Sequence, residues 1–302
     1  MSRTAHRFSG RRARALLGGA AAVVVLALLS PLAAVTAAAA APVGADPADP
    51  YAVFAHCPVE ALVAAGHPDG SCITAVINGG TFKIGKGTVP VTKESVLSEG
   101  NFVRPDDSVV AVAPTDDQLF ASSPMQVPGG LLGVPGLATL LPGLTDITAT
   151  VELATTEPPV VDVFNALYGT GVVVTLPVKI RLRNALLGNK CYIGSNADPI
   201  VLELRTGTTS PPTPNQPITG DRGELTFVAG PNDGSLVQET GAVLVDNSFS
   251  VPRARGCGLL GSLDGVVNQR QGLPAPAGTN TAILKGNSYL GGPASAILAS
   301  RG

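Results

Sequence analysis

From Val172 to Leu182 apolar side chains occupy every even position, as Val172, Val174, Leu176, Val178, Ile180 and Leu182. Thr175, Lys179, Arg181 and then Arg183 take odd positions. A period of two describes a β-strand with one buried and one wet face. Pro177 has no N–H to give a ladder, so this strand is expected at a sheet edge or with a bulge at that residue. Ile147, Ala149, Val151 and Leu153 alternate in the same way with Thr148, Thr150 and Glu152, as do Ile200, Leu202 and Leu204 with Glu203 and Arg205. Segments 73–77, 81–84, 88–92, 108–113, 225–228 and 242–245 read as further strands. Gly79-Gly80, Gly85 to Gly87 and Asp233-Gly234 read as turns between them.

Helix signals are few and short. Residues 58–65 carry proline in the first turn and Gly66 as a stop, and 262–271 carry Ser262 as a cap and Gly272 as a stop. A last helix is expected over 293–299. The pattern predicts a mainly β chain, an antiparallel sandwich or distorted barrel with a few short helices.

The first 40 residues depart from this alternation. Arg3, Arg7, Arg11, Arg12 and Arg14 precede an apolar run, Ala15 to Leu29, and small residues follow up to Ala41. That is the layout of a secretory signal peptide, cut near Ala40. An uncleaved membrane anchor is the competing reading of the run, but alanine is weakly hydrophobic and Pro31 interrupts it. Residues 41–50 read as a disordered lead-in and 51–302 as a single β-rich, disulfide-bonded domain. The expected location is extracellular.

Export changes the charge balance. Five of the 20 Lys+Arg lie in the leader, so the remainder sets 15 basic residues against 22 acidic ones, a formal charge of −7. Such a chain lacks the basic excess of a nucleic-acid binder. Cys57, Cys72, Cys191 and Cys257 all follow the leader, and an even count outside the cell reads as disulfides. Three pairings are possible; proximity favours Cys57–Cys72 and Cys191–Cys257. With no CxxC, and His56 and His67 poorly spaced as ligands, no metal site and no cofactor are expected. The core must be aliphatic, because the chain holds no Trp, four Tyr and eight Phe. So few aromatic faces also argue against a sugar-binding cleft.

Residues 125–144 carry no charge and three Pro-Gly pairs. Val127, Leu131, Leu132, Val134, Leu137, Leu140 and Leu141 within it must leave water, against the sheet, a partner or a lipid. They are the candidate ligand-binding residues. Candidate catalysis is thin. No Gly-x-Ser-x-Gly elbow occurs, and Ser262 in Gly261-Ser262-Leu263-Asp264-Gly265 stands one place too early. His56 and His67 are the two histidines beyond the leader and the only candidate bases. Asp106-Asp107 and Asp116-Asp117 read as solvated turn residues.

Cys191-Tyr-Ile-Gly-Ser-Asn-Ala-Asp-Pro-Ile200, Leu202 to Pro212, Leu244 to Pro252, Gly256-Cys257-Gly258 and Leu273-Pro274 together resemble a group of secreted, uncharacterised proteins from high-GC Gram-positive bacteria. Some similar exported proteins carry a cholesterol-esterase label. The resemblance implies a secreted, disulfide-bonded domain and transfers no catalytic residue. The leading expectation is a secreted, non-catalytic β-rich protein that binds an apolar ligand, a lipid or a cell-envelope component. The alternative is a secreted esterase acting on lipid or sterol esters, with His56 or His67 as base.

Overall fold

The computed structural model describes residues 49–130, 146–169 and 171–301. The expected signal peptide, most of the lead-in, and Leu131, Leu132, Val134, Leu137, Leu140 and Leu141 lie outside the described residues.

Two antiparallel sheets face one another. The larger orders β11 (Glu224–Ala229), β12 (Ser235–Asp246), β14 (Thr281–Gly292), β1 (Ser71–Ile84), β3 (Ser95–Val103) and β4 (Val109–Val112). In it β2 (Gly87–Pro90) pairs with β1, and β5 (Phe120–Ser122) with β3. The smaller orders β13 (Ala254–Arg255), β9 (Gly188–Ile193), β8 (Val174–Asn184), β7 (Ile147–Leu153) and β6 (Met125–Val127), with β10 (Ile200–Leu204) on β8. The arrangement is a sandwich. Arg205, just past β10, and Val245 of β12 exchange both backbone hydrogen bonds, at 3.1 and 2.8 Å, and join the sheets along one side.

Segments 73–77 and 81–84 belong to one strand. Gly79-Gly80 is not a turn but part of β1, where the register with β14 shifts between Ile77 and Gly79. The shift reverses the side-chain alternation, as one extra residue must. Before it, Cys72 and Val76 point away from the smaller sheet, whereas Ile73, Ala75 and Ile77 point into the seam. After it, the even residues Phe82 and Ile84 point into the seam. β12 carries a matching shift between Glu239 and Ala242. Both bulges flank Gly286 of β14, which lies opposite Ile77 on one side and Ala242 on the other. A Cβ at Gly286 would overlap the Val76 carbonyl, so only glycine fits.

The long alternating strand is β8, but it is neither an edge strand nor bulged at its proline. Its register shift falls between Leu182 and Asn184. Pro177 accepts from the Ala154 amide at 2.9 Å. β7 ends at Leu153, so the reciprocal bond that proline cannot make falls where its neighbour leaves the sheet.

A helical layer covers the other face of the larger sheet. α1 (Val59–Ala64) and α4 (Ala294–Ser300) pack with a 3-10 turn, Ala52–Phe54, over Cys72, Val76, Leu236 and Tyr289. Arg301 closes this layer, donating to Glu60 Oε1 at 2.9 Å and to the Phe54 carbonyl at 2.6 Å. Cys57 is bonded to Cys72 and Cys191 to Cys257, the pairing that proximity favours. The first bridge fastens the helical layer to β1, and the second fastens β9 to the segment after β13. α3 (Asp264–Gln271) starts two residues later than expected, and Ser262 does not cap it. The Asp264 carboxylate instead accepts the Cys257 N–H at 2.7 Å, while Gly272 ends the helix in the left-handed region. Among the described residues no helix is long and apolar enough to cross a membrane.

Candidate functional site: an apolar seam with one polar end

Two sheets stack about 10 Å apart, and their inward side chains must fill that gap. With no Trp in the chain, branched aliphatic residues do the filling. They leave a row of three cavities. The first, about 60 Å³, is bounded by Ile84, Val127, Ile147, Ile180 and Val267, with the exposed Arg270 at its rim. The middle one, about 90 Å³, is bounded by Ile77, Leu176, Val178, Leu202 and Leu284. It shares Phe82, Met125 and Val151 with the first, and Ala75, Leu97, Val174 and Leu244 with the third. The third, about 80 Å³, adds Val161, Leu167, Thr206, Glu239 and Ser288 to its wall. Neighbours along the row therefore share side chains in their walls.

The third cavity holds buried polar groups without partners. Glu239 and Ser288 are register partners on β12 and β14, and the Ser288 hydroxyl donates to Glu239 Oε2 at 2.6 Å. Glu239 is 7 % exposed, and its second oxygen, Oε1, is buried without a hydrogen-bond partner. Thr206, 4 % exposed, has a buried hydroxyl that is likewise unpartnered. Burial pushes the Glu239 carboxyl above its ordinary range, and the Ser288 hydrogen bond and the Arg222 charge oppose that rise. Unpaired buried groups of this kind are expensive, so a hydrogen-bonding group that enters this space is stabilised by both.

A short helix, α2 (Val163–Tyr168), forms one wall. Val163, Ala166 and Leu167 line the third cavity, while Phe164 and Tyr168 stack on each other at 6.3 Å on the exposed side. Asp162 caps it, accepting the Asn165 N–H at 2.8 Å, and Gly169 ends it in the left-handed region. The sequence reading missed α2, although Asp162 and Gly169 bracket apolar residues at helical spacing.

A second buried carboxyl, Glu99, sits on the seam face of β3 opposite Ile73. It is 1 % exposed. Burial pushes it up to about 8; the Val161 backbone opposes the shift, yet neither oxygen meets the geometry of a hydrogen bond.

Of the expected ligand-binding residues, Val127 lines the first cavity. The candidate bases lie elsewhere. His56 Nδ1 and Asp116 Oδ2 are 2.7 Å apart on the surface, and His67 stacks on Phe102 at 3.6 Å between ring centres. Among the described residues no hydroxyl is hydrogen-bonded to either imidazole. Asp106 and Asp116 hold turns, bonding the N–H groups of Ser108 and Gln118. Among the described residues no three His, Cys, Asp or Glu side chains gather as a metal would require. Comparison of the chain with protein-family models, with curated proteins and with solved structures finds no match in any of the three.

Proposed function

We propose that the protein is an exported, non-catalytic binder that holds an apolar ligand, a lipid or an apolar envelope component, in the seam between its two sheets. The observation that carries this reading is the row of three apolar cavities with shared walls. Binding sites for small molecules are mostly apolar spaces with a few convergent polar groups, and the third cavity supplies such groups. The basic leader with its apolar run, and two disulfides, support export.

The test uses N-phenyl-1-naphthylamine, a neutral apolar dye that brightens when it leaves water. The oxidised protein should brighten it saturably. Ala75→Phe, which fills the wall between the middle and third cavities, should abolish the signal while circular dichroism stays unchanged. An absent or non-saturable signal in the wild type would overturn the reading. So would hydrolysis of an ester panel that His56→Ala or His67→Ala abolishes, because the protein would then be an enzyme.

A further inference from the structure

The third cavity differs from its neighbours in carrying hydrogen-bonding groups with nothing to bond. This inference rests on the apolar-ligand reading and extends it to the ligand's polar end. Thr206 Oγ and Glu239 Oε1 are both buried and unpartnered, and both residues line one space. The other Glu239 oxygen is already taken by Ser288. We infer that this cavity is a head-group subsite for an uncharged hydroxyl, so that the ligand is an apolar molecule ending in one alcohol group, hydrogen-bonded by Glu239 and Thr206.

The chemistry selects against the obvious competitors. A hydroxyl donates once and accepts twice, so it can satisfy both groups whichever way each is turned. A carboxylate would bring a second negative group beside Glu239 in a desolvated space. An ammonium would need an ionised counter-charge, whereas burial favours the neutral form of Glu239. Arg222, the cation whose charge acts on Glu239, already donates to the Leu167 carbonyl at 2.6 Å. A plain hydrocarbon would leave Thr206 and Glu239 unpartnered.

Calorimetric titration of the oxidised protein with decane, 1-decanol, decanoate and decylamine tests this. Decanol should bind about tenfold more tightly than decane, the gain expected from one or two buried hydrogen bonds. Thr206→Val removes only a hydroxyl that bonds nothing, so the fold should persist. It should lower decanol affinity about tenfold and leave decane affinity unchanged. Glu239→Gln keeps an uncharged hydrogen-bonding group there and should hold decanol affinity within about twofold.

Equal binding of decane and decanol, with Thr206→Val silent, would overturn the head-group inference and leave the apolar-ligand reading standing. Decanoate binding more tightly than decanol would place the head group at Arg270, on the rim of the first cavity, and overturn it too. So would decylamine binding most tightly and losing that preference in Glu239→Gln. Failure of all four compounds to bind would remove the apolar-ligand reading itself.

Discussion

Asp246 reaches from the larger sheet to the smaller one, where its Oδ2 accepts the backbone N–H of Glu203 at 2.8 Å. Its Oδ1 accepts the N–H of Ser248 at the same distance. One buried carboxylate therefore ties the end of β12 to β10, beside the Arg205–Val245 backbone pair. Asp246→Ala removes the acceptor for both amides at once. Charge-assisted bonds to buried amides contribute more than neutral ones, so a loss of about 3 kcal/mol is expected. Urea unfolding followed by circular dichroism measures it. A change under about 0.5 kcal/mol would show that the sheets do not depend on this tie.

Gly286→Ala should be as damaging although it adds only a methyl group. Two bulges converge on that residue, and the new Cβ would overlap the Val76 carbonyl, which belongs to a strand that cannot retreat. The expected loss is about 3 kcal/mol. A neighbouring control, Ser288→Ala, removes a hydroxyl without adding bulk and should cost about 1 kcal/mol. Equal, small effects of the two would refute the steric account.

Glu99 sets a pH dependence with a definite sign. Its folded carboxyl titrates at about 8, above the ordinary 4.5. Between those values the folded chain holds a proton that the unfolded chain has released. Stability from this group is therefore fully present below pH 4.5 and lost as pH rises through 8, on the order of 5 kcal/mol in all. Glu239 and Asp246, also pushed up by burial, add a smaller slope of the same sign. Urea midpoints for wild type should fall from pH 5 to pH 8, and Glu99→Gln should flatten most of that fall. Parallel profiles for the two proteins would show that Glu99 ionises freely in the fold.

The two disulfides should differ in weight. The Cys191–Cys257 bridge spans 66 residues and the Cys57–Cys72 bridge 15. On chain entropy alone, removing the long one costs about 4 kcal/mol and the short one about 3 kcal/mol. Paired Cys→Ala variants, compared by thermal melting, give the order. A larger loss for Cys57/Cys72 would mean that fixing the helical layer to β1 outweighs loop closure.

Much of the smaller sheet was legible in the sequence because it keeps one face wet. β7, β8 and β10 each set apolar residues against charged or hydroxyl ones, and that contrast is the signal. The centre of the larger sheet lies between the seam and the helical layer, so the contrast disappears there. β14 went unread because its seam-facing series, Ala282, Leu284, Gly286, Ser288 and Leu290, contains a glycine and a serine. The bulge in β1 broke the alternation and made one strand look like two around a turn. The site was hidden for a related reason. Glu99 and Glu239 sit in strands, where a lone glutamate ordinarily faces water, and only the register shows that these face inward. From the uncharged 125–144 segment Met125 and Val127 reach the seam, and Val127 is the one candidate ligand-binding residue among the described residues.

The position of β14 also sets the order in which the protein can assemble. It is hydrogen-bonded between β12 and β1, in the middle of its sheet, yet it is the last of the described strands to leave the ribosome. β1, the first of the described strands to be made, gains its longest ladder only across some 200 residues of intervening chain. Contacts so distant in sequence make folding slow, because the loop must close before any ladder forms. Until Thr281–Gly292 is available, both flanking strands present unpaired edges. A chain truncated before Thr281 should therefore aggregate or stay unfolded, and adding the missing segment as a separate peptide should rescue it in a concentration-dependent way.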